Sequence, residues 1–592
     1  MKLSKQLILF CIVFFVFAIK NVLAFSSMGF YNPYSPTSQT LDFAYFWIPK
    51  FSVALFLASF VFLFKNKIWL ILLSFLCDIW LLTTIIYWNF NHVAISYDAI
   101  TMVGNMNGFW SSLFVQLNFK NVAIILLSVV LTIAILIFFR EKTKSNLKFF
   151  LITVGVVALI LNPLSRISSL KTMSNQQFGY KIKYLFVPYY ERYQSYTKIA
   201  RWNFGEHFFY QKENISYFPW IFIEKIHKAI QTSNIVISKE DEQTPAFKSF
   251  LNFEATNRQV KQNNNLLVIV VESMESWFLK DSIADNIVMP NLKHFLDTIP
   301  HFYAPNLRAQ TRGGSSGDGQ MLINTSLPST EYGGACMKYG TNTYPNFAHF
   351  FDYSYTINPC TPNVWNQNVI NKHYGYKQLV QVNTSEADKF EFAHDEKSFV
   401  TLDNMLDTVK EPFCIQHITY STHPPYEKGK NSKLKFNKEY CENIQEYLSS
   451  FNYLDSCMAQ LLSRITTDEK LKNTTIVITA DHNANGSSYK KFISLYNINI
   501  KNETFCPLII VSPKIKENIT VTDTCYQMDI FPTILNFVEG SEDYYFKGFG
   551  VNLMDSSAIK NRILSNAEAN QLSDKLIPIN YFSKFESISD AK

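Results

Sequence analysis

Apolar residues are unevenly spread along this chain: the long uninterrupted runs all fall before residue 165, and beyond it short runs alternate with polar stretches. Segments 6–24, 47–64, 68–88, 121–139 and 147–163 are rich in Leu, Ile, Val and Phe. Each is close to the roughly 20 residues a helix needs to cross a hydrocarbon core. They predict a five-helix transmembrane domain over residues 1–163. Residues 164–260 are mixed and Tyr-rich and read as a connector lying partly on the membrane. The period then changes: 266–271 is a continuous apolar run of the kind that forms a buried parallel strand, with similar runs at 412–420, 475–480 and 507–512. Helical patterns at 290–298, 316–325, 345–351, 436–465 and 526–539 lie between or after them. This alternation predicts an α/β domain with a mostly parallel central sheet over residues 261–592.

The short loops orient the spans, because cytoplasmic loops retain Lys and Arg. Lys2, Lys5, Lys65, Lys67, Arg140, Lys142, Lys144 and Lys148 share one side, whereas loops 25–46 and 89–120 carry Lys120 only, with Lys50 at a span edge. The N-terminus is expected in the cytoplasm, and the chain beyond residue 164 outside the cytoplasmic membrane. In a rival reading, residues 1–24 are a signal peptide cleaved after Val22-Leu23-Ala24; four spans remain and the later chain stays on the same side. Asp78 lies near the middle of the third span, where a carboxylate is costly; it reads as a neutral or Lys20-paired structural residue.

Composition narrows the class. Of 592 residues 17% are charged, against about 25% for a soluble protein, which argues against an ordinary cytosolic enzyme. The net charge of +6 lacks the basic clustering a nucleic-acid binder needs, so nucleic acid is not an expected partner. Cys11 and Cys77 fall in spans, whereas Cys336, Cys360, Cys414, Cys441, Cys457, Cys506 and Cys525 fall in the exported part, where disulfides persist. Spacing favours pairing Cys336 with Cys360 and Cys506 with Cys525.

In parallel sheets ligands bind beyond the carboxyl ends of the strands. Here one buried run ends in Glu272 and another in Asp481-His482. Two carboxylates and an imidazole converging on one crevice are ligands for a divalent metal, although an Asp after a strand also caps helices. The stretch from Gln310 to Gln320, QTRGGSSGDGQ, opens a predicted helix where amide N–H groups favour an anion. Ser316 in this loop is a candidate nucleophile, since a metal can activate a weakly acidic hydroxyl. His423, in Ser421-Thr-His-Pro-Pro-Tyr426 after another predicted strand, could bind a phosphoryl group or act as acid or base toward a leaving oxygen.

Val270-Val271-Glu272-Ser273, the Gly-Gly-Ser-Ser loop, Thr422-His423-Pro424 and Thr479-Ala480-Asp481-His482 occur in the order found in the alkaline phosphatase/sulfatase superfamily. With five spans ahead of it, the chain resembles the lipoteichoic acid synthase family of phosphoglycerol transferases. The resemblance implies a metal bound by Glu272, Ser316, Asp481 and His482, with Ser316 as nucleophile in place of the usual threonine and His423 on the substrate phosphate. Manganese is the expected ion, with magnesium and zinc open on this ligand set. Trp365-Asn366-Gln367 resembles a substrate-binding stretch in which Gln367 replaces an arginine, and Asn358 stands where a histidine is expected. The implied donor is a membrane phospholipid and the implied acceptor a glycolipid, glycan or lipid hydroxyl. A phosphoethanolamine transferase is the nearest rival. Ser316-Gly-Asp-Gly lacks the x-Pro-x-Arg of a true sulfatase, but a hydrolase using the same site with water as acceptor stays open.

Overall fold

In the computed structural model, residues 2–27, 40–91, 119–139, 145–161, 164, 235–252 and 262–588 are described, the last range apart from 280, 281, 284, 313, 331–333, 361, 363, 383–393, 425, 427, 429–433, 435–441 and 485–504. They fall into two compact units, the first built on the N-terminal helices and the second holding the sheet.

The first unit contains α1 (Lys2–Ser27), α2 (Thr40–Leu63), α3 (Ile68–Asn91), α4 (Phe119–Phe138) and α5 (Leu147–Val156), which runs on as a wider turn over Val157–Leu161. Among the described residues three stretches are long and apolar enough to cross a bilayer, Lys5–Ala24, Ile68–Ile86 and Phe119–Phe138; Phe51–Leu63 and Leu147–Leu161 are shorter apolar helices. The five expected spans are thus matched by three full-length candidates and two shorter ones. Large apolar side chains such as Phe15, Leu72, Leu76, Ile79, Val130 and Ile137 face outward. Small residues, Ala54, Ala58 and Ser59 of α2 among them, are buried where helices meet, which lets their backbones approach.

The polar residues of this unit turn inward. Lys20 of α1 is fully buried and pairs with Asp78 of α3 at 2.6 Å, the structural reading expected for that acid. Its Nζ also donates to Ser74 Oγ at 2.8 Å and to Ser128 Oγ of α4. Ser128 Oγ in turn donates to Asp78 Oδ2 at 2.5 Å. One ion pair and two hydroxyls thereby join three helices at buried positions.

The second unit is built on β1 (Asn265–Val271), α6 (Pro290–Thr298), β2 (Phe302–Arg308), α7 (Ser315–Thr325), β3 (Tyr353–Asn358), α8 (Gln367–His373), β4 (Gln378–Gln381), α9 (Asp395–Thr408), β5 (Phe413–Ile418), α10 (Glu442–Thr467), β6 (Thr474–Ala480), β7 (Cys506–Val511), β8 (Ile519–Thr520), β9 (Cys525–Tyr526) and α11 (Ile530–Leu535). The strand order is β4-β3-β5-β1-β6-β7-β2-β8, with β9 also on β2. The runs read as strands are there, and β1, β5, β6 and β7 are buried along their whole length. The sheet is mixed rather than parallel throughout: β4, β3, β5, β1 and β6 run parallel, but β7 is antiparallel to both β6 and β2. An all-apolar run buried on both faces reads the same in either direction, so its pattern carried no information on polarity.

Residues 235–252, assigned from sequence to the connector, pack into this second unit. Ser238 and Thr244 cap two short helices, and Phe250 meets Phe546 and Phe549 with ring centroids 6.2 and 4.6 Å apart. The rest of the Tyr-rich stretch, 165–234, lies outside the described residues. Neither expected disulfide is present, since Cys336, Cys360, Cys506 and Cys525 are all free thiols. Cys506 and Cys525 both pair with Leu307, from opposite sides of β2. Two strand spacings, about 9–10 Å, therefore separate their Cα atoms, beyond the ~7 Å a disulfide spans. Cys336 is buried in the short helix Ala335–Lys338 against Gly317, and Cys360 sits in a turn held by Asn358. Cys441 lies outside the described residues.

Removing one partner of a buried ion pair costs about 3–5 kcal/mol because the other charge is left uncompensated. Lys20→Met and Asp78→Leu should each lower the unfolding temperature of the detergent-solubilised chain, and the double substitution should restore part of the loss. Strictly additive losses would show that the pair contributes no coupling.

Candidate active site

The site follows from strand register. In the sheet β1 lies between β5 and β6, with Val270 opposite Ile418 and Val271 opposite Ala480. The ladder continues one residue past each strand, with Thr419 N–H donating to Val270 O and Asp481 N–H to Val271 O. The next residues of all three chains therefore leave the sheet side by side: Glu272 after β1, Thr419 to His423 after β5, and Asp481-His482 after β6.

Glu272, Asp481 and His482 each turn one ligand atom to within 4.8 Å of the others, and all three are buried. His482 Nδ1 donates to Asn483 O at 2.8 Å, and Nε2 is the ring nitrogen that faces the carboxylates. That nitrogen is 3.4 Å from Glu272 Oε1 and 3.7 Å from Asp481 Oδ2. Asp481 Oδ1 is occupied by the N–H groups of Ser273 and His482, so Oδ2 is the atom presented to the group. Thr422 Oγ1 donates to Glu272 O at 2.7 Å, and Thr419 Oγ1 accepts Glu272 N–H, so the β5 loop grips the residue that ends β1.

Helix α7 brings in the serine. Ser316 Oγ donates to Glu272 Oε2 at 3.1 Å and lies 3.3 Å from His482 Nε2. The preceding loop is folded back by Asp318, whose Oδ2 accepts N–H groups of Arg312 and Gly314 at 2.9 Å each. Ser315 was not singled out from sequence, yet its Oγ stands 3.2 Å from His482 Nε2, on a backbone with φ 43°. Buried Glu275 was also overlooked; it accepts Ala484 N–H at 2.9 Å and Trp277 Nε1–H at 2.5 Å, holding the segment after His482. Its spacing of three from Glu272 was the available signal.

His423 stacks on Tyr420, with ring centroids 5.2 Å apart, and donates Nδ1–H to Pro424 O at 2.6 Å. Trp365 and Asn366 both hold positive φ, 51° and 55°, a strained pair of the kind found at functional sites. The Trp365 ring lies against Gly317, next to Ser316, where a Cβ would collide with it. Asn366 Nδ2 donates to Cys336 O at 2.9 Å. Gln367 is placed differently from the others: it is buried, donates to Gln320 Oε1 at 2.7 Å and accepts from Asn371 Nδ2 at 2.6 Å. Its amide joins a buried network under α7. Asn358 closes the turn at Cys360, with bonds of 3.1 and 3.2 Å.

The charges in this group oppose one another. Burial disfavours ionised Glu272, but the imidazoles of His482 and His423 and the hydrogen bonds it accepts outweigh burial and hold its carboxyl below the usual value. For Asp481 burial comes first and the neighbouring Glu272 carboxylate second, and together they push it up to about 7. Burial also opposes charge on His482, yet Asp481 and Glu272 hold its imidazole above the usual range. His423 is lowered by burial, against the attraction of Glu272. Two carboxylates and one imidazole buried together suit a divalent cation, which would satisfy both acids at once.

An α/β domain with acids and a serine at the carboxyl end of its sheet defines the class, and the comparisons place it more narrowly. The sulfatase family model matches residues 318–541, and that of the lipoteichoic acid synthase N-terminal domain matches residues 1–201. The chain belongs to the lipoteichoic acid synthase-like branch of the alkaline phosphatase/sulfatase superfamily and is a membrane protein. It is 25% identical over 328 residues to lipoteichoic acid synthase 1 of Bacillus subtilis (strain 168), covering 51% of this chain and 50% of that one. To lipoteichoic acid synthase 2 of the same organism it is 22% identical over 306 residues, covering 48% and 47%. The matches span about half the length of each of these curated relatives. Among solved structures, the fold is similar to lipooligosaccharide phosphoethanolamine transferase A from Neisseria meningitidis, with a TM-score of 0.53 at 12% identity, over 90% of this chain and 96% of that one.

A cation needs Asp481 ionised. Because its carboxyl is raised to about 7, the ionised form prevails above that pH and is lost below it. Mn2+ affinity of the full chain should therefore fall by at least about tenfold per pH unit below 7, as protons are displaced from Asp481 and from the raised imidazole of His482 on binding. Calorimetry in buffers of different ionisation enthalpy should register at least one proton released at pH 6. Equal affinity at pH 6 and pH 8 would rule this out.

Proposed function

We propose that this chain is a membrane-anchored, metal-dependent transferase that moves a phosphoglycerol-type head group from a phospholipid to an acceptor hydroxyl on a glycolipid, glycan or lipid. The observation that carries the reading is the convergence of Ser316 Oγ with Glu272 Oε2 and His482 Nε2, at 3.1 and 3.3 Å, at the start of a helix. In this reading the N-terminus is cytoplasmic, five helices over residues 1–163 anchor the chain, residues 164–260 connect, and residues 261–592 work outside the cytoplasmic membrane. The curated relatives support the phosphotransferase class.

Glu272, Ser316, Asp481 and His482 would hold the cation. Manganese suits their oxygen-rich set, and magnesium and zinc are alternatives. When bound, a divalent ion supplies positive charge that makes a hydroxyl more acidic and offsets charge on phosphoryl oxygens. Ser316 Oγ attacks the donor phosphorus, and its proton passes to Glu272 Oε2, already its hydrogen-bond acceptor. The P–O bond to diacylglycerol breaks and the leaving oxygen takes a proton from solvent, while His423, whose charging burial disfavours, contacts the phosphoryl group. The head group then rests on Ser316 as a phosphodiester. An acceptor hydroxyl attacks the same phosphorus and loses its proton, while Ser316 Oγ leaves and regains one, closing a ping-pong cycle. The amide N–H groups of the first turn of α7 favour the anionic phosphoryl group throughout. Trp365 and Asn366 would border the head group. Gln367 acts from behind, through Gln320 of α7.

That placement favours one second reading. With its amide spent in the core, Gln367 brings no positive charge to the head group, and a phosphoethanolamine group carries its own ammonium.

The test supplies the detergent-solubilised chain, with Mn2+ and a glycolipid acceptor, with head-group-labelled phosphatidylglycerol or phosphatidylethanolamine in separate reactions. The phosphatidylglycerol label should be transferred, chelation should stop transfer, and Ser316→Ala should lower the rate by at least about a thousandfold. Transfer of the ethanolamine label alone would select the second reading. Free glycerol phosphate without modified acceptor would make the protein a hydrolase. Unchanged turnover in Ser316→Ala would overturn the nucleophile assignment.

A further inference from the structure

Two buried glutamines tie the loop that delivers Ser316 to the strand end that delivers Asp481. Gln527 is 0% and Gln310 5% exposed. Gln527 Nε2 donates to Asp481 O at 2.6 Å and to Ala480 O at 3.2 Å. Its Oε1 accepts Gln310 N–H at 2.8 Å, and Gln310 Oε1 accepts Met528 N–H at 2.8 Å. Gln310 Nε2 donates to Asn566 Oδ1 at 2.7 Å. Each carbonyl oxygen meets a backbone N–H and each amide nitrogen an acceptor, so both side chains have one allowed orientation. From the other direction helix α7 rests on the same carbonyl: a Cβ at Gly319 would overlap Asp481 O. Gly319 follows Ser316 by about one helical turn. The Asp481 carbonyl is thus held between an amide N–H and the backbone of the serine-bearing helix, while its carboxylate faces Glu272 and His482.

We propose that Gln527, acting with Gly319, is a positioning residue that sets the separation between Ser316 Oγ and the Glu272–Asp481–His482 group while touching neither cation nor substrate. The inference rests on the nucleophile reading of Ser316 given above. Gln527 fixes Asp481 from the strand side and, through Gln310, fixes the loop that starts α7; Gly319 sets how near the helix comes. A misplacement of about 1 Å between reacting groups costs about 100-fold in rate, so this contact has leverage beyond its contribution to stability.

The test uses the full chain in detergent with tail-labelled phosphatidylglycerol and phosphatidylethanolamine in parallel, following release of labelled diacylglycerol, with Mn2+ affinity and unfolding temperature measured on the same samples. Gln527→Met and Gly319→Ala are each expected to lower kcat by about 10- to 100-fold with KM for the lipid unchanged. Thr475→Val is the stability control, because it removes a buried hydrogen bond to Ser512 Oγ, 2.9 Å long, at the opposite end of β6. It should lower the unfolding temperature while leaving kcat intact. Wild-type kcat in Gln527→Met overturns the proposal, as does a fall no greater than that of Thr475→Val at equal loss of unfolding temperature. If Gln527→Met does not fold, Gly319→Ala decides by the same criteria. Turnover retained by Ser316→Ala overturns the nucleophile reading and this inference with it, a result read from a different variant and so distinct from failure of the positioning contact alone.

Discussion

Two carboxylates buried side by side are the constraint around which the second unit is organised. Glu272 and Asp481 leave adjacent parallel strands at the same level, because Val271 and Ala480 are register partners. Placing them together out of water is unfavourable for either charge, and the opposite shifts of the two groups express that conflict. A single imidazole between them cannot neutralise both. The fold tolerates the arrangement because it is held from behind: Ser273 N–H on Asp481, Thr422 on the Glu272 carbonyl, and Glu275 on the chain after His482. These bonds satisfy backbone groups and fix carboxylate orientation without cancelling the net negative charge, which stays available to a cation.

The serine helix is fitted to this pair by closeness rather than by charge. Its first two turns carry glycines where the chain meets Trp365 at Gly317 and the Asp481 carbonyl at Gly319. Behind it, Gln320 and Asn324 enter a network of buried amides: Gln320 bonds Gln367, which bonds Asn371, and Asn324 bonds Gln416 and Asn346. Such networks specify one arrangement because a displaced member leaves a buried polar atom unpaired. The helix is thereby tied to strand β5 through Gln416 and to helix α8 through Gln367 and Asn371.

Much of this was legible in the chain, and the losses have identifiable causes. Strands β1, β5 and β6 announce themselves as apolar runs, and an acid directly after a buried parallel strand points to the crevice. That logic brings Glu272, Asp481 and His482 together without any knowledge of the intervening chain. Strand β2 escaped notice because Pro305 and Asn306 interrupt it, and β4 because its four residues are only partly covered. The direction of β7 and the disulfide expectation failed for a related reason: pattern and spacing carry no information about which strand lies between two others. Gln367 follows two residues of positive φ that re-aim the chain, so a motif match could not reveal where its amide points. The Gln310–Gln527 pair joins positions 217 residues apart and has no local signature at all.

The two units solve the problem of buried charge in opposite ways, and the contrast bears on function. In the helical unit Asp78 is matched by Lys20 and by the hydroxyl of Ser128, and Lys20 also donates to Ser74, so the pair is complete within the chain. Removing either charge should be felt as lost stability, since each exists to offset the other. In the sheet unit the acids outnumber the imidazole; Ser273 Oγ donates to Glu272 Oε1 at 2.7 Å, and the hydroxyls of Ser315 and Ser316 approach His482 at 3.2 and 3.3 Å. A cluster short of positive charge, served by a serine at a helix start, is poorly explained as a stabilising device. It is better explained as a place where a cation and an anionic phosphoryl group complete the balance, which is why the chemistry is assigned to this cluster and only anchoring to the charges among the helices.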